Sequence, residues 1–262
     1  MAEQTHQSDP RILGRRTLAA NHRRLAAMLA PGMSVLDVGC GTGAITAGIA
    51  AAVGPEGSVV GLDKDGSLIA IAREQHASVP NLRFEVGDVL TAPLEGAFDI
   101  VTAARALQWM HDPALALARM AAAAKRPGGA VVVLDYNHAS SSWHPDPPPA
   151  FRQFYDAFLR WREAKGWINQ MGDALPSLFR GAGLREIESS VEDEVTERGD
   201  PDWRENGAVM LHVVDTIGHN IVSDRFATEA DRVAAAGAFQ VWIDESMRRQ
   251  TLCLRAVVGR RN

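Results

Sequence analysis

The stretch Val35-Leu36-Asp37-Val38-Gly39-Cys40-Gly41-Thr42-Gly43 decides how this chain is read. Residues 34–38 are short, apolar and rich in valine, so they read as a buried strand running into glycines. Residues 44–53 then read as a helix. Glycines let the main chain turn tightly and let a ligand approach it closely. The helix start adds partial positive charge at the same place. In open α/β sheets, ligands bind at this carboxyl edge of the strands.

Strand and helix go on alternating outward from the loop. Residues 54–57 are a turn, and 58–62 a second strand. Asp65 caps a helix reaching about residue 77. Strands follow at 82–86 and 98–102. Asp112-Pro113 starts a helix with proline in its first position, running to Lys125, where Pro127-Gly128-Gly129 ends it. Residues 130–135 form a fifth strand. Parallel crossovers of this kind predict an α/β sheet. Upstream, 11–30 reads as one helix broken by Pro31-Gly32.

Downstream the texture changes. Residues 139–149 read as a loop. Helices are expected near 151–165, 173–180, 204–221 and 228–248, the last with a Thr228/Asp231 capping box. Strands are expected at 184–195 and 251–258, making seven, mostly parallel. Of sixteen aromatic residues, only Phe84, Phe98, Trp109 and Tyr136 lie outside 143–242. The organisation expected is an N-terminal helical cover (1–30), a Rossmann-like core (31–138), a helical lid (139–183) and closing strands with inserted helices (184–262) belonging to the same domain as the core.

With 46% hydrophobic and 23% charged residues, the chain of 262 can bury a full core. A net charge of −5 speaks against non-specific binding to nucleic acid or membrane. Cys40 and Cys253 read as reduced thiols, and no signal peptide or membrane span is visible. A cytoplasmic location follows as the expectation. The eight histidines form no metal-type cluster, so no metal is expected.

Gly39, Gly41 and Ala44 also satisfy a dinucleotide-binding pattern. Both that reading and its rival need an acid ending the second strand to hold ribose hydroxyls, and Asp63 supplies it. Asp37, before the first glycine, and Asp88, ending the third strand, separate the two. Taken in order, Asp37-Val38-Gly39-Cys40-Gly41-Thr42-Gly43, Gly61-Leu62-Asp63, Gly87-Asp88, Phe98-Asp99-Ile100-Val101 and Arg126-Pro127-Gly128-Gly129 resemble the motifs of class I S-adenosylmethionine (SAM)-dependent methyltransferases. The nearest pattern is that of the ubiquinone/menaquinone-methyltransferase-like group, matched over about residues 31 to 135.

The resemblance implies SAM as cofactor, S-adenosylhomocysteine (SAH) as product, and methyl transfer to a small aromatic or apolar metabolite at O, N or C. It implies that Asp37, Gly39 and Gly41 form the cofactor loop and Asp63 binds ribose. Lys64 flanks the adenine, Asp88 and Val89 bind its edge, and Ala104 and Arg105 lie near the methionine amino group. Arg16 or Asn21 of the cover would meet the carboxylate. Trp109 stands where relatives carry histidine. The Pro-Pro-aromatic motif of amino-methylating DNA enzymes is absent, which disfavours a nucleic-acid substrate.

Base candidates are His212, His138 and Tyr136, with His111 and Asp135 also near strand ends. Trp109, Trp143, Tyr155 and His212 are the candidate acceptor-binding residues. His212, Asp215 and His219 share a helix face by spacing. His6, His22, His76 and His144 read as surface residues. A monomer or homodimer is expected, without membrane or nucleic-acid partners. The alternatives are a non-catalytic SAM/SAH-binding protein, an NAD(P)-dependent oxidoreductase, and an enzyme using another part of SAM.

Overall fold

Valine-rich five-residue runs between glycine turns build the centre of the molecule. A computed structural model describes residues 10–94 and 96–262. Three short helices come first, α1 (Pro10–Leu13), α2 (Leu18–Asn21) and α3 (Arg23–Ala26). Then come β1 (Ser34–Val38), α4 (Ala44–Val53), β2 (Ser58–Asp63), α5 (Gly66–Gln75), β3 (Leu82–Val86), β4 (Ile100–Ala104), α6 (Pro113–Ala123) and β5 (Ala130–Tyr136). The second half holds β6 (Ser142–His144), α7 (Pro149–Ala164), α8 (Met171–Gly181), β7 (Arg185–Val191) and β8 (Glu194–Glu197). It closes with α9 (Trp203–Gly207), α10 (Val209–Asp215), α11 (Gly218–Ser223), α12 (Glu229–Glu245), β9 (Arg249–Leu252) and β10 (Leu254–Arg260).

These elements form two units. The sheet unit comprises Pro10–Tyr136, Met171–Glu192 and Leu254–Asn262. Its seven strands run β3-β2-β1-β4-β5-β10-β7, and only the pairings of β10, with β5 and β7, are antiparallel. This is the mostly parallel seven-stranded α/β sheet expected from the sequence. Asp65 caps α5 through the Ser67 and Leu68 amides, and Asp112 caps α6 through Leu115. On one face, Leu18, Leu25, Val35, Ile45, Ile49, Val59, Ile100 and Val132 form one aliphatic cluster. Burying each such side chain stabilises by about 1.5–3 kcal/mol.

The insert unit comprises Asn137–Gln170 and Asp193–Cys253, two segments that both leave the sheet and return to it. It has its own antiparallel sheet, β6-β9-β8, and helices α7 and α9–α12. Its core is aromatic. Phe151 stacks on Phe239 with ring centroids 3.7 Å apart, and Phe239 stacks on Trp242 at 5.4 Å.

The structure corrects several boundaries. The single helix expected over 11–30 is three helices. Gly14 follows α1, the Thr17 hydroxyl accepts from Ala20 N to start α2, and His22 leaves helical geometry between α2 and α3. The helix expected over 204–221 is also three. Thr216 Oγ1 back-bonds to the His212 carbonyl at 2.6 Å, a competitor that bends helices. The strands expected at 184–195 and 251–258 each split, at Asp193 and Cys253, into one strand of each sheet. The 139–149 loop contains β6. Helix α8, assigned by sequence to a lid, belongs to the sheet unit, where Phe179 fills the space a side chain on Gly259 would need.

Candidate active site

The expected loop lies at the carboxyl tips of β1 and β2. Gly39 N donates to the Leu62 carbonyl at 2.7 Å, and Gly41 N donates to Asp63 Oδ2 at 2.9 Å. Asp63 Oδ1 accepts from Asp65 N at 2.9 Å. One carboxylate thus fixes the glycine loop and the start of α5, and its remaining lone pairs can take hydroxyl donors. Gly39 has φ +72°, and a Cβ there would stand 2.6 Å from the Ala106 Cβ, so the loop passes too close to β4's exit for a side chain.

Burial pushes Asp63 upward from the usual carboxylate range, against the Asp65 and Gly41 amides that lower it. Asp37 is buried and accepts from Thr46 Oγ1 of α4 at 2.7 Å. Burial raises its carboxyl to about 7, countered by the Thr46 bond and reinforced by Asp63. Burial also raises the Cys40 thiol, with Asp37 and Asp63 adding to it. Asp37 therefore braces the loop from beneath. A glycine-rich loop, rimmed by Asp63, fits an adenosyl ligand. So does Thr42, whose buried hydroxyl has no hydrogen-bond partner among the described residues.

Lys64 and Asp88 are exposed beside this loop's strand tips, and Val89 is buried. Asp88 Oδ1 caps Leu90 N at 2.9 Å, at the end of β3. Ala104 ends β4. Arg105 follows it with φ +60°, a left-handed conformation that strains a non-glycine residue by about 1–3 kcal/mol. Its guanidinium donates to Tyr136 Oη at 3.2 Å and to the Asn21 carbonyl at 3.1 Å. Trp109 sits half-buried on a single turn, 107–109, which Asp135 Oδ2 anchors by accepting from Gln108 N. His111 is exposed.

Four further candidates belong to the insert unit. The Trp143 and Tyr155 rings meet edge-on at 5.0 Å, and Tyr155 Oη donates to the His138 carbonyl at 2.7 Å. His138 is itself buried, edge-on to Phe158 at 5.4 Å. Burial, then the Arg162 charge, holds its imidazole well below the ordinary histidine range. His212 is half-buried on α10. The face it was expected to share is interrupted at Thr216. Asp215 pairs with Arg232 at 3.6 Å, and His219 lies exposed on α11.

His22, expected at the surface, is 1% exposed; His76 is half-buried, and His6 lies outside the described residues. His22 Nε2 meets Thr102 Oγ1 of β4 at 3.0 Å. Burial and Arg105 depress its pKa to about 3. Thr102 is also the register partner of Asp37, so His22 reaches the polar layer beneath the loop. No local pattern signals a partner 80 residues away.

A model of the methyltransferase domain family matches residues 29–170. Staphylococcus aureus demethylmenaquinone methyltransferase is 30% identical over 175 residues, 62% of this chain and 67% of the relative. An uncharacterised protein of a Streptomyces fradiae transposon is 42% identical over 104 residues, 39% of this chain; the chain spans 30% of that relative's length. Among solved structures, Haemonchus contortus phosphoethanolamine N-methyltransferase 2, in complex with phosphomonomethylethanolamine and SAH, superposes with TM-score 0.58 at 16% identity. The match covers 93% of this chain and 52% of that one, a likeness of fold. Since the family model spans more than half of the chain, the protein belongs to the methyltransferase domain family, as a class I SAM-dependent methyltransferase.

Proposed function

We propose that this chain transfers the methyl group of SAM to a small aromatic or apolar metabolite at an O, N or C nucleophile. The observation that carries this is the tie between Gly41 N and Asp63, which sets a glycine-rich loop beside an acceptor for ribose hydroxyls. Gly39 and Gly41 hold the methionine end, Asp63 the ribose, and Lys64, Asp88 and Val89 the adenine. The Ala104 and Arg105 main chain takes the amino group, since the Arg105 cation is committed elsewhere and would repel an ammonium. When bound, SAM supplies a methyl already activated by its sulfonium. The chain has to align and exclude water, and alignment alone is worth up to about 7–11 kcal/mol.

For the base, His212 is preferred over His138, because an imidazole held far below its ordinary pKa is a weak proton acceptor. Tyr136, at the tip of β5, is the third candidate. The ring-rich insert supports a planar or apolar acceptor, with Trp143, Tyr155 and His212 as the insert's candidate contacts and Trp109 as the sheet unit's. Relatives' names point to different acceptors, demethylmenaquinone in one and phosphoethanolamine in another.

Calorimetry with SAH and a radiolabelled-SAM transfer assay on metabolite extracts test this reading. Asp63→Ala and Asp88→Ala should each weaken SAH binding about tenfold or more, the weight of one charge-assisted hydrogen bond. His212→Ala should lower turnover by about a hundredfold at unchanged SAH affinity. Unchanged affinity in both aspartate variants would overturn the site. SAH binding without transfer to any extract would favour a non-catalytic binder.

A further inference from the structure

We propose that Arg105 is a positioning residue that acts through the N-terminal strap, residues 13–22, clamping it onto the glycine loop and so retaining the adenosyl ligand. The inference rests on the reading of Gly39–Gly43 as the SAM loop. The strap touches that loop directly: a Cβ on Gly41 would stand 2.9 Å from Leu13 Cδ1. Four residues into α4, a Cβ on Gly48 would stand 2.7 Å from Leu18 Cβ. Both glycines are sites where loop and helix admit the strap at close range.

Apolar contacts of this kind are non-directional and let a short segment slide. Two directional anchors lie at the strap's far end. Arg105 Nη1 donates to the Asn21 carbonyl at 3.1 Å, and His22 Nε2 meets Thr102 Oγ1 at 3.0 Å on the next residue. The Asn21 side chain stiffens the segment in turn, accepting from Thr17 N at 2.9 Å. Arg105 is itself fixed. It is 5% exposed, its Nε donates to Tyr136 Oη, and its guanidinium carbon lies 5.5 Å from the Tyr136 ring centroid.

The backbone adds an independent argument. At φ +60° glycine would be free of strain, and arginine is not. What arginine adds here over glycine is its side chain. That side chain reaches a main-chain carbonyl of the strap and the phenol at the tip of β5. Arg105 thereby ties the strap to the tip of β5.

Trypsin reads the strap, because Arg15 and Arg16 lie within it. The full-length protein and its Arg105→Gly, Arg105→Met and Arg105→Lys variants are digested with and without SAH, and cuts at Arg15 and Arg16 are timed by mass spectrometry. SAH affinity is measured in parallel. The expected result is slow cutting of the native protein, slower still with SAH. Arg105→Gly and Arg105→Met should be cut about tenfold faster and bind SAH about tenfold more weakly, the weight of one hydrogen bond to a charged group. Arg105→Lys, which keeps one cationic donor, should recover part of both. Arg105→Gly relaxes the backbone, so a loss there cannot come from strain, and folding is checked by circular dichroism. Weaker SAH binding with native cutting rates would overturn the proposal, since Arg105 would then act on the ligand directly. Native values for both readouts would overturn it as well. A native protein that binds no SAH would sink the reading of the loop itself, and this proposal with it.

Discussion

The sheet unit is packed with valine, isoleucine, leucine and alanine, whereas the insert unit is packed with stacked and edge-on rings. β-Branched side chains are stiff at χ1 and suit a pleated surface, so they hold strand tips in fixed register. Register is what a cofactor loop needs, because Gly41 N, Asp63 and Asp37 come from adjoining strand ends. Rings give large flat contact areas and tolerate varied packing angles. The comparison teaches a division of labour: a stiff aliphatic sheet that holds its strand tips in place, and an aromatic unit that offers broad flat surfaces.

The sharpest test of that division is Phe239→Ala, which empties the stack on Phe151. A loss of about 3–5 kcal/mol is expected. Five of the six tryptophans lie in the insert unit, so urea unfolding followed by tryptophan fluorescence reports on it. SAH affinity should stay unchanged, and an equal fall in affinity would break the comparison. Next in size is Gly39→Val in the sheet unit. Its Cβ would meet Ala106, and φ +72° excludes a β-branched residue. The variant should lose about 2–3 kcal/mol of SAH binding, seen by calorimetry, with the ring cluster's unfolding profile unaltered.

The smallest effect concerns pH. His22 titrates near 6.5 when unfolded and about 3 when folded. Below about 6.5 the unfolded state takes up the extra proton, so stability present at neutral pH is lost as pH falls. Asp37, raised to about 7, has the opposite slope, because the folded state keeps its proton between 3.8 and about 7. Comparing the native protein with His22→Gln cancels the Asp37 contribution. From about pH 8 to about pH 5.5, the native protein should lose about 1.4 kcal/mol relative to the variant. A constant difference across that range would mean that His22 titrates alike in the folded and unfolded states.

Much of the sheet unit was legible because its signals are local. Asp65 and Asp112 announce their helices, Pro113 confirms one, and glycines close β1 onto α4 within nine residues of sequence. The splits at Asp193 and Cys253 were not legible, since an extended segment looks the same whichever sheet it joins. The breaks at Thr216 and His22 were equally hidden. Each depends on a hydrogen bond or a burial choice that propensity does not weigh.

By itself the sequence determined the strand–loop–helix unit, the order of the acids at the strand ends, and the segregation of aromatic residues into the second half. All three arise from neighbours in the chain. Three contacts came from the three-dimensional fold alone: Asp37 braces the loop through Thr46, His22 is buried against Thr102, and the Arg105 guanidinium turns to Asn21 and Tyr136. Those partners are brought together by the folding of separate strands and helices, and a buried polar group takes whichever partner the fold delivers.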